Sequence, residues 1–133
     1  MTAEFDRGKW KARASHNSPA ARLAFDGDIG TRWDTAKVQE PGMWFEVDFR
    51  EPLTFDTLIL DIGSSTNDAP REFSVYVQAE GADGWGDPIA SGTGGSGIMN
   101  FEPVTASRLR IEQNGQSSSN YWSIHEMYVA KAK

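Results

Sequence analysis

Glu72-Phe73-Ser74-Val75-Tyr76-Val77-Gln78-Ala79 is the stretch that decides the fold class of this chain. Phe73, Val75, Val77 and Ala79 fall on one face of an extended strand, and Glu72, Ser74, Tyr76 and Gln78 fall on the other. Strand side chains alternate with period two, so the pattern describes a strand with one dry face and one wet face. Asp83-Gly84 behind it supplies a turn. The same alternation recurs on both sides. Trp10, Ala12 and Ala14 alternate with Lys11 and Arg13, and Phe45, Val47 and Phe49 alternate with Glu46 and Asp48. Leu58, Leu60 and Ile62 form another set, and Leu109 and Ile111 alternate with Arg108, Arg110 and Glu112. Shorter strands are expected at 88–90 and 98–101, and 124–130 closes the chain. Residues 19–25 hold the one plausible helical turn. About eight strands separated by turns predict an all-β, antiparallel sandwich or open barrel. Its core should contain Phe45, Val47, Leu58, Leu60, Phe73, Val75, Val77, Leu109 and Ile111.

A length of 133 residues suits a single domain, 1–133, with enough chain to bury a core. A hydrophobic fraction of 38% with five Trp, seven Phe and three Tyr argues against disorder. No run of 18 or more apolar residues offers a membrane-spanning helix. No signal peptide is visible behind Met1, which leaves a cytosolic protein or a module of a longer secreted chain. The 13 basic and 19 acidic residues give a net charge of −6. That balance argues against nucleic acid and anionic membranes, both of which attract Lys/Arg patches. Zero Cys removes disulfides, thiolate chemistry and Cys-zinc sites.

Catalytic patterns are weak. Gly92, Gly94 and Gly97 match G-x-G-x-x-G, but 98–101 reads as a strand where a dinucleotide site needs a helix. Ile98 stands where a G-x-S-x-G elbow around Ser96 needs its last Gly. His16 and His125 are the only histidines, in no spacing that suggests a triad or a metal pair. Among 19 carboxylates nothing singles out a pair for glycoside hydrolysis, and a sandwich this small leaves little depth for an active-site cleft. Ser91 to Gly97 is read as a flexible hairpin loop, and 114–120 as a second polar loop.

Asp26-Gly27-Asp28-Ile29-Gly30-Thr31 is the most informative local cluster. It reads either as a tight turn or as a loop whose oxygens converge on a hard cation, and spacing alone favours the turn. Trp10, Trp33, Trp44 and Trp85 read as core or rim packing, and Trp44 needs something to cover it, since it faces away from Phe45. Tyr121-Trp122 can pack under the polar loop or stack on a ligand, and both readings stay open.

The order of these pieces resembles a known family. Residues 24–33, Ala-Phe-Asp-Gly-Asp-Ile-Gly-Thr-Arg-Trp, resemble the A-x-DG-x-x-x-T-x-W segment of discoidin, or factor V/VIII type C, domains. Residues 41–49 resemble their G-x-W-x-x-V-D-L strand, 70–77 the P-x-x-y-x-v-y-v strand, and 108–111 the a-R-y-I-R-I strand. Residues 121–129 are similar to the W-W-S-I-x-E-l-x-V ending of bacterial carbohydrate-binding modules of family 32. The likeness runs from about 9 to 130, leaving short tails. Phe49-Arg50 replaces the usual L-G, a change expected to cost little. Asp34 follows Trp33 where several galactose-binding relatives carry His, which counts against galactose.

The resemblance implies a jelly-roll-like sandwich and a non-catalytic module fused to a catalytic domain of a secreted bacterial enzyme, or carried by a surface protein. It would act outside the cell or at its surface, as a monomer that binds a polysaccharide or oligosaccharide without inserting into membranes. A protein- or cell-surface adhesion domain using the same loops is the alternative. It also implies a structural Ca²⁺ held by the carbonyls of Leu23, Asp28, Thr31 and His125, the Asp26 and Glu126 carboxylates and the Thr31 hydroxyl. The glycan is expected on loops at the Ca²⁺ end, with Tyr121 and Trp122 as aromatic platforms. Asp34, Gln39, Glu40, Asn67, Asp68, Arg71, Asn120 and His16 are the polar candidates. For Arg71 the plain alternative is a surface ion pair with Asp68.

Overall fold

The computed structural model describes residues 2–79, 81–94 and 97–132. Nine strands run through them: β1 (Thr2–Glu4), β2 (Lys11–Ala14), β3 (Trp33–Val38), β4 (Met43–Asp61), β5 (Phe73–Ala79), β6 (Ala90–Gly92), β7 (Ile98–Gln113), β8 (Tyr121–Ile124) and β9 (Glu126–Ala132). A 3-10 segment at Ser18–Phe25 fills the place of the expected helical turn. It buries Ala21 and Ala24 and starts with Pro near its first position, where a missing N–H costs nothing. Every ladder is antiparallel.

The alternating sets around 45–49 and 58–62 prove to belong to one strand. β4 is 19 residues long and β7 is 16, and they pair along both halves with register shifts between Asp48 and Leu53 and between Phe55 and Thr57. The ribbon bends there and serves both layers of the sandwich. Its first half lies between β2 and β5, with β6 beyond, and its second half pairs with β9, which carries β1 on its other side. β3 and β8 form a separate two-stranded ladder. At the bend Arg50 adopts φ 70°, and its N–H donates to the Asp48 carboxylate at 2.8 Å. The replacement of the family's glycine is therefore not inert, because a side chain at left-handed φ costs about 1–2 kcal/mol.

All nine residues expected in the core are buried. Two aromatic chains stitch it together: Trp10 on Phe25 and Phe49, then Phe49 on Phe55; and Phe45 on Trp33, then Trp33 on Trp122. Trp44 is covered on the outer face by guanidinium groups, Arg110 at 4.6 Å and Arg13 at 5.4 Å from its ring. Glu46, itself buried, pairs with both arginines and so fixes them over the indole. The stretches expected as tails pair with each other, Thr2 opposite Ala132. The strand expected at 88–90 is displaced to Ala90–Gly92, opposite Phe73 and Val75. Of the loop expected at 91–97, Gly95 and Ser96 lie outside the described residues.

Candidate functional site

Three loops converge at Arg71. Its guanidinium donates to the carbonyls of Ala69 (2.8 Å) and Asn67 (2.9 Å) and to Asn120 Oδ1 (3.0 Å). Close approach of the 114–120 loop depends on Gly115, where a Cβ would stand 2.4 Å from Arg71 Cβ. Beneath this lies Gln39, 2% exposed, whose amide donates to Ala69 and Tyr121 carbonyls and accepts from Arg71 N–H at 2.8 Å. Its backbone bonds to Asn120 and Ser117, so one residue stitches all three loops. Tyr121 stands beside this knot with 38% of its surface exposed. The structure thus brings Asn67, Arg71, Asn120 and Tyr121 together as an accessible rim.

Three glycan candidates are corrected. Trp122 follows Tyr121 in a strand, so alternation turns it inward; it is 0% exposed and packs edge-on against Trp33 at 5.0 Å. Gln39 is buried with its amide engaged as above. Asp68 is buried, accepts from the Ser123 hydroxyl and lies 3.5 Å from Arg32. It does not pair with Arg71. These three position the rim and present no surface to a sugar. His16, Asp34 and Glu40 are half-buried. Glu40 meets Lys37 at 2.7 Å and His16 at 3.8 Å, and the Lys37 hydrogen bond holds its carboxyl below the usual range. Asp34 pairs with Arg32 at 3.0 Å.

Residues 26–31 form a tight polar turn. Asp26 accepts from Asp28 N–H at 3.0 Å and from the Thr31 hydroxyl at 2.5 Å. Glu126, 1% exposed, reaches across from β9: Gly27 N–H lies 3.2 Å from both its carboxylate oxygens, and Arg7 donates to Oε1 at 2.6 Å. Burial raises the Glu126 carboxyl above its ordinary range, Arg7 works against that, and the neighbouring Asp26 adds to it. Asp26 shifts the other way: burial pushes it up, but hydrogen bonds from Thr31 and Asp28 more than offset this. Two carboxylates in contact call for a shared proton or a cation. With the Thr31 hydroxyl and nearby carbonyls, they form an all-oxygen set that suits a hard divalent ion. Among the described residues no group of three or more His, Asp or Glu side chains is arranged to hold a metal, so carbonyls would have to complete the shell.

The turn and the rim sit at opposite ends of the β3–β8 ladder, the rim at the Val38–Tyr121 end and the turn past the Trp33–Ile124 end. A polar chain joins them. His125 Nδ1 donates to the Ile29 carbonyl at 2.7 Å, Nε2 lies 2.8 Å from Ser65 Oγ, and Arg32 donates to that oxygen at 2.6 Å before reaching Asp34 and Asp68. With both ring nitrogens engaged, the His125 imidazole is left with none for a metal. Sequence reasoning missed Arg7 and Arg32: an ion pair spanning 119 residues leaves no local pattern. A cleft of about 520 Å³, lined by Ile62, Pro70, Phe73, Ile98 and Met99 among others, excludes Arg71, Asn120 and Tyr121. The rim is a shallow surface, unlike that cleft.

A family model for the F5/8 type C domain matches residues 8–127. No curated protein matches the chain. Among solved structures, the family 32 carbohydrate-binding module of C. perfringens NanJ, in complex with galactose, aligns over 98% of this chain and 100% of its own, with TM-score 0.80 and 18% identity. The chitosan-binding module 1 of a Paenibacillus chitosanase/glucanase, in a selenomethionine-labelled point-mutant form, aligns over 92% and 94%, with TM-score 0.75 and 24% identity. The family 32 module of AlyQ, in complex with 4,5-unsaturated mannuronic acid, aligns over 96% and 97%, with TM-score 0.71 and 21% identity. At these identities the likeness is one of fold.

Proposed function

The chain belongs to the F5/8 type C domain family, and on that footing we propose that it is a non-catalytic glycan-binding module whose ligand lies on the Arg71–Asn120–Tyr121 rim. The observation that carries this reading is the rim itself. An exposed aromatic ring stands beside a guanidinium fixed by three hydrogen bonds to its surroundings. A sugar ring presents an apolar C–H face to an aromatic and pairs of hydroxyls to a planar polar group, so the two together match one saccharide unit. Arg71 keeps N–H groups beyond the three engaged, and its geometry is set before ligand arrives, which lowers the ordering cost of binding. Structures of the same fold bound to galactose, to GalNAc-β-1,3-galactose and to a uronic acid support the sugar reading, and fusion to an alginate lyase domain supports a targeting role beside a secreted enzyme. A net charge of −6 favours neutral or amino-sugar polymers over polyanions.

Binding to a shallow site is expected to be weak, with Kd about 0.1–1 mM. Titration against a glycan panel is the test. Arg71→Ala and Tyr121→Ala should each weaken binding about tenfold or more, while Glu51→Ala, in the bend of β4 where it pairs with Lys9, should not. Undiminished binding in both rim variants would move the site elsewhere. Absence of binding to every glycan would turn the reading to a protein- or cell-surface adhesion domain.

The proposal includes a structural calcium ion at the turn, held by the Asp26 and Glu126 carboxylates, the Thr31 hydroxyl and the carbonyls of Leu23, Asp28, Thr31 and His125. It would tie the turn to β9 across 100 residues of sequence (126 − 26). An ion that binds only the folded chain stabilises it by about 2.7 kcal/mol at one hundred times its Kd. Added Ca²⁺ should therefore raise Tm by several degrees over the protein in chelator. An unchanged Tm, with no ion retained on desalting, would remove calcium from the reading.

A further inference from the structure

The Glu126 carboxylate already has a cation on it. Arg7 Nη1 donates to Glu126 Oε1 at 2.6 Å and to the Met127 carbonyl at 3.3 Å, and its guanidinium carbon lies 4.4 Å over the Tyr128 ring. Three successive residues of β9 thus form one seat for a guanidinium: a carboxylate, a carbonyl and an aromatic face. The Glu126 side chain is 2% exposed and that of Arg7 17%, so water screens the pair poorly. Gly27 N–H, 3.2 Å from both carboxylate oxygens, occupies more of the same carboxylate. Arg7 also lies just ahead of the stretch 8–127 that matches the family model.

We infer that Arg7 is an internal occupant of the divalent-cation site, neutralising Glu126 when no ion is bound and displaced when one binds. The inference rests on the calcium reading above. A divalent ion between Asp26 and Glu126 would approach the guanidinium to within a few ångströms. Like charges at that distance in a poorly hydrated setting repel strongly, and both compete for the lone pairs of Oε1. The two occupants are therefore alternatives. Two consequences follow from exclusion. The wild-type protein keeps its fold without calcium, because Arg7 supplies the missing positive charge. Its affinity for calcium is lower than the oxygen set alone would give, because part of the binding free energy goes into expelling Arg7.

Calorimetric titration of Ca²⁺ into wild type and Arg7→Gln, with Tm of each in chelator and in saturating calcium, tests this. Arg7→Gln is expected to bind Ca²⁺ at least tenfold more tightly, to melt below wild type in chelator, and to show the larger calcium-induced rise in Tm. Equal or weaker calcium binding by Arg7→Gln overturns the inference and leaves the calcium reading standing. Absence of calcium binding by both proteins overturns the calcium reading, and the inference with it. Should Arg7→Gln not fold, the wild type gives a second measurement. The Arg7 side-chain N–H resonances should shift on calcium addition as the guanidinium leaves Glu126, and resonances that stay in place at saturation overturn displacement.

Discussion

Trp122→Ala should lose about 3–5 kcal/mol of stability, the range for truncating a buried large aromatic. Trp122 is among the largest fully buried side chains and packs edge-on against Trp33 at 5.0 Å, which in turn meets Phe45 at 4.8 Å. Removing it opens a void between β8 and β4 that backbone ladders on both sides keep from collapsing. A domain of this kind is stable by about 5–15 kcal/mol, so the loss takes about a fifth of the total or more. The indole Nε1–H has no hydrogen-bond partner in the described structure. The loss is therefore one of packing alone. Trp122→Phe should for the same reason cost much less, since it also discards a buried unsatisfied donor, itself unfavourable by about 1–3 kcal/mol. Urea midpoints at constant m-value would read both. Similar losses for Ala and Phe would mean that the N–H is bonded and the packing account incomplete.

Gly97→Ala is expected to have the next largest effect. Gly97 has φ +80°, and a Cβ built there would stand 2.3 Å from the Leu60 carbonyl oxygen. The same pair of residues is tied by Leu60 N–H donating to the Gly97 carbonyl at 2.7 Å, so neither backbone can retreat without breaking that bond. The left-handed conformation costs about 1–2 kcal/mol and forced overpacking about 1–3 kcal/mol, together roughly 2–5 kcal/mol. The damage should be local to the start of β7, with hydrogen exchange quickened at 59–61 and 97–99 and unchanged around β8. Wild-type stability in this variant would show that the 97–98 backbone has a second arrangement without the contact.

The core was legible because strand alternation is a geometric necessity. Once Phe73, Val75 and Val77 share a face, burial of one implies burial of all, and the same logic placed Phe45, Val47, Leu109 and Ile111. Alternation does not tell how far a strand continues, so the single strand Met43–Asp61 read as two. Trp44 was visible as a problem but its cover was not, since Arg13 and Arg110 come from strands 31 and 66 residues away (44 − 13 and 110 − 44). At the rim, residue types suggested sugar chemistry for Gln39 and Asp68, whose polar atoms prove to be engaged in holding loops. Nothing in a sequence records whether a polar group has partners already. Trp122 was open between two roles until Tyr121, its neighbour, took the outward one.

The pairing of β1 with β9 has a mechanical consequence. Thr2 lies opposite Ala132, and the two strands run antiparallel, with their hydrogen bonds perpendicular to the chain. Tension applied between positions 2 and 132 would pull across the strands and load the rungs one after another, as in unzipping, rather than sharing the force among them as in shear. β1 has only three rungs, ending at Glu4 opposite Ala130. Three residues further along the chain the peeling front meets Arg7, fastened to Glu126, Met127 and Tyr128. A weak zipper thus ends in a single strong rivet, and the force at which the sandwich yields would be set at Arg7 more than at the strand before it.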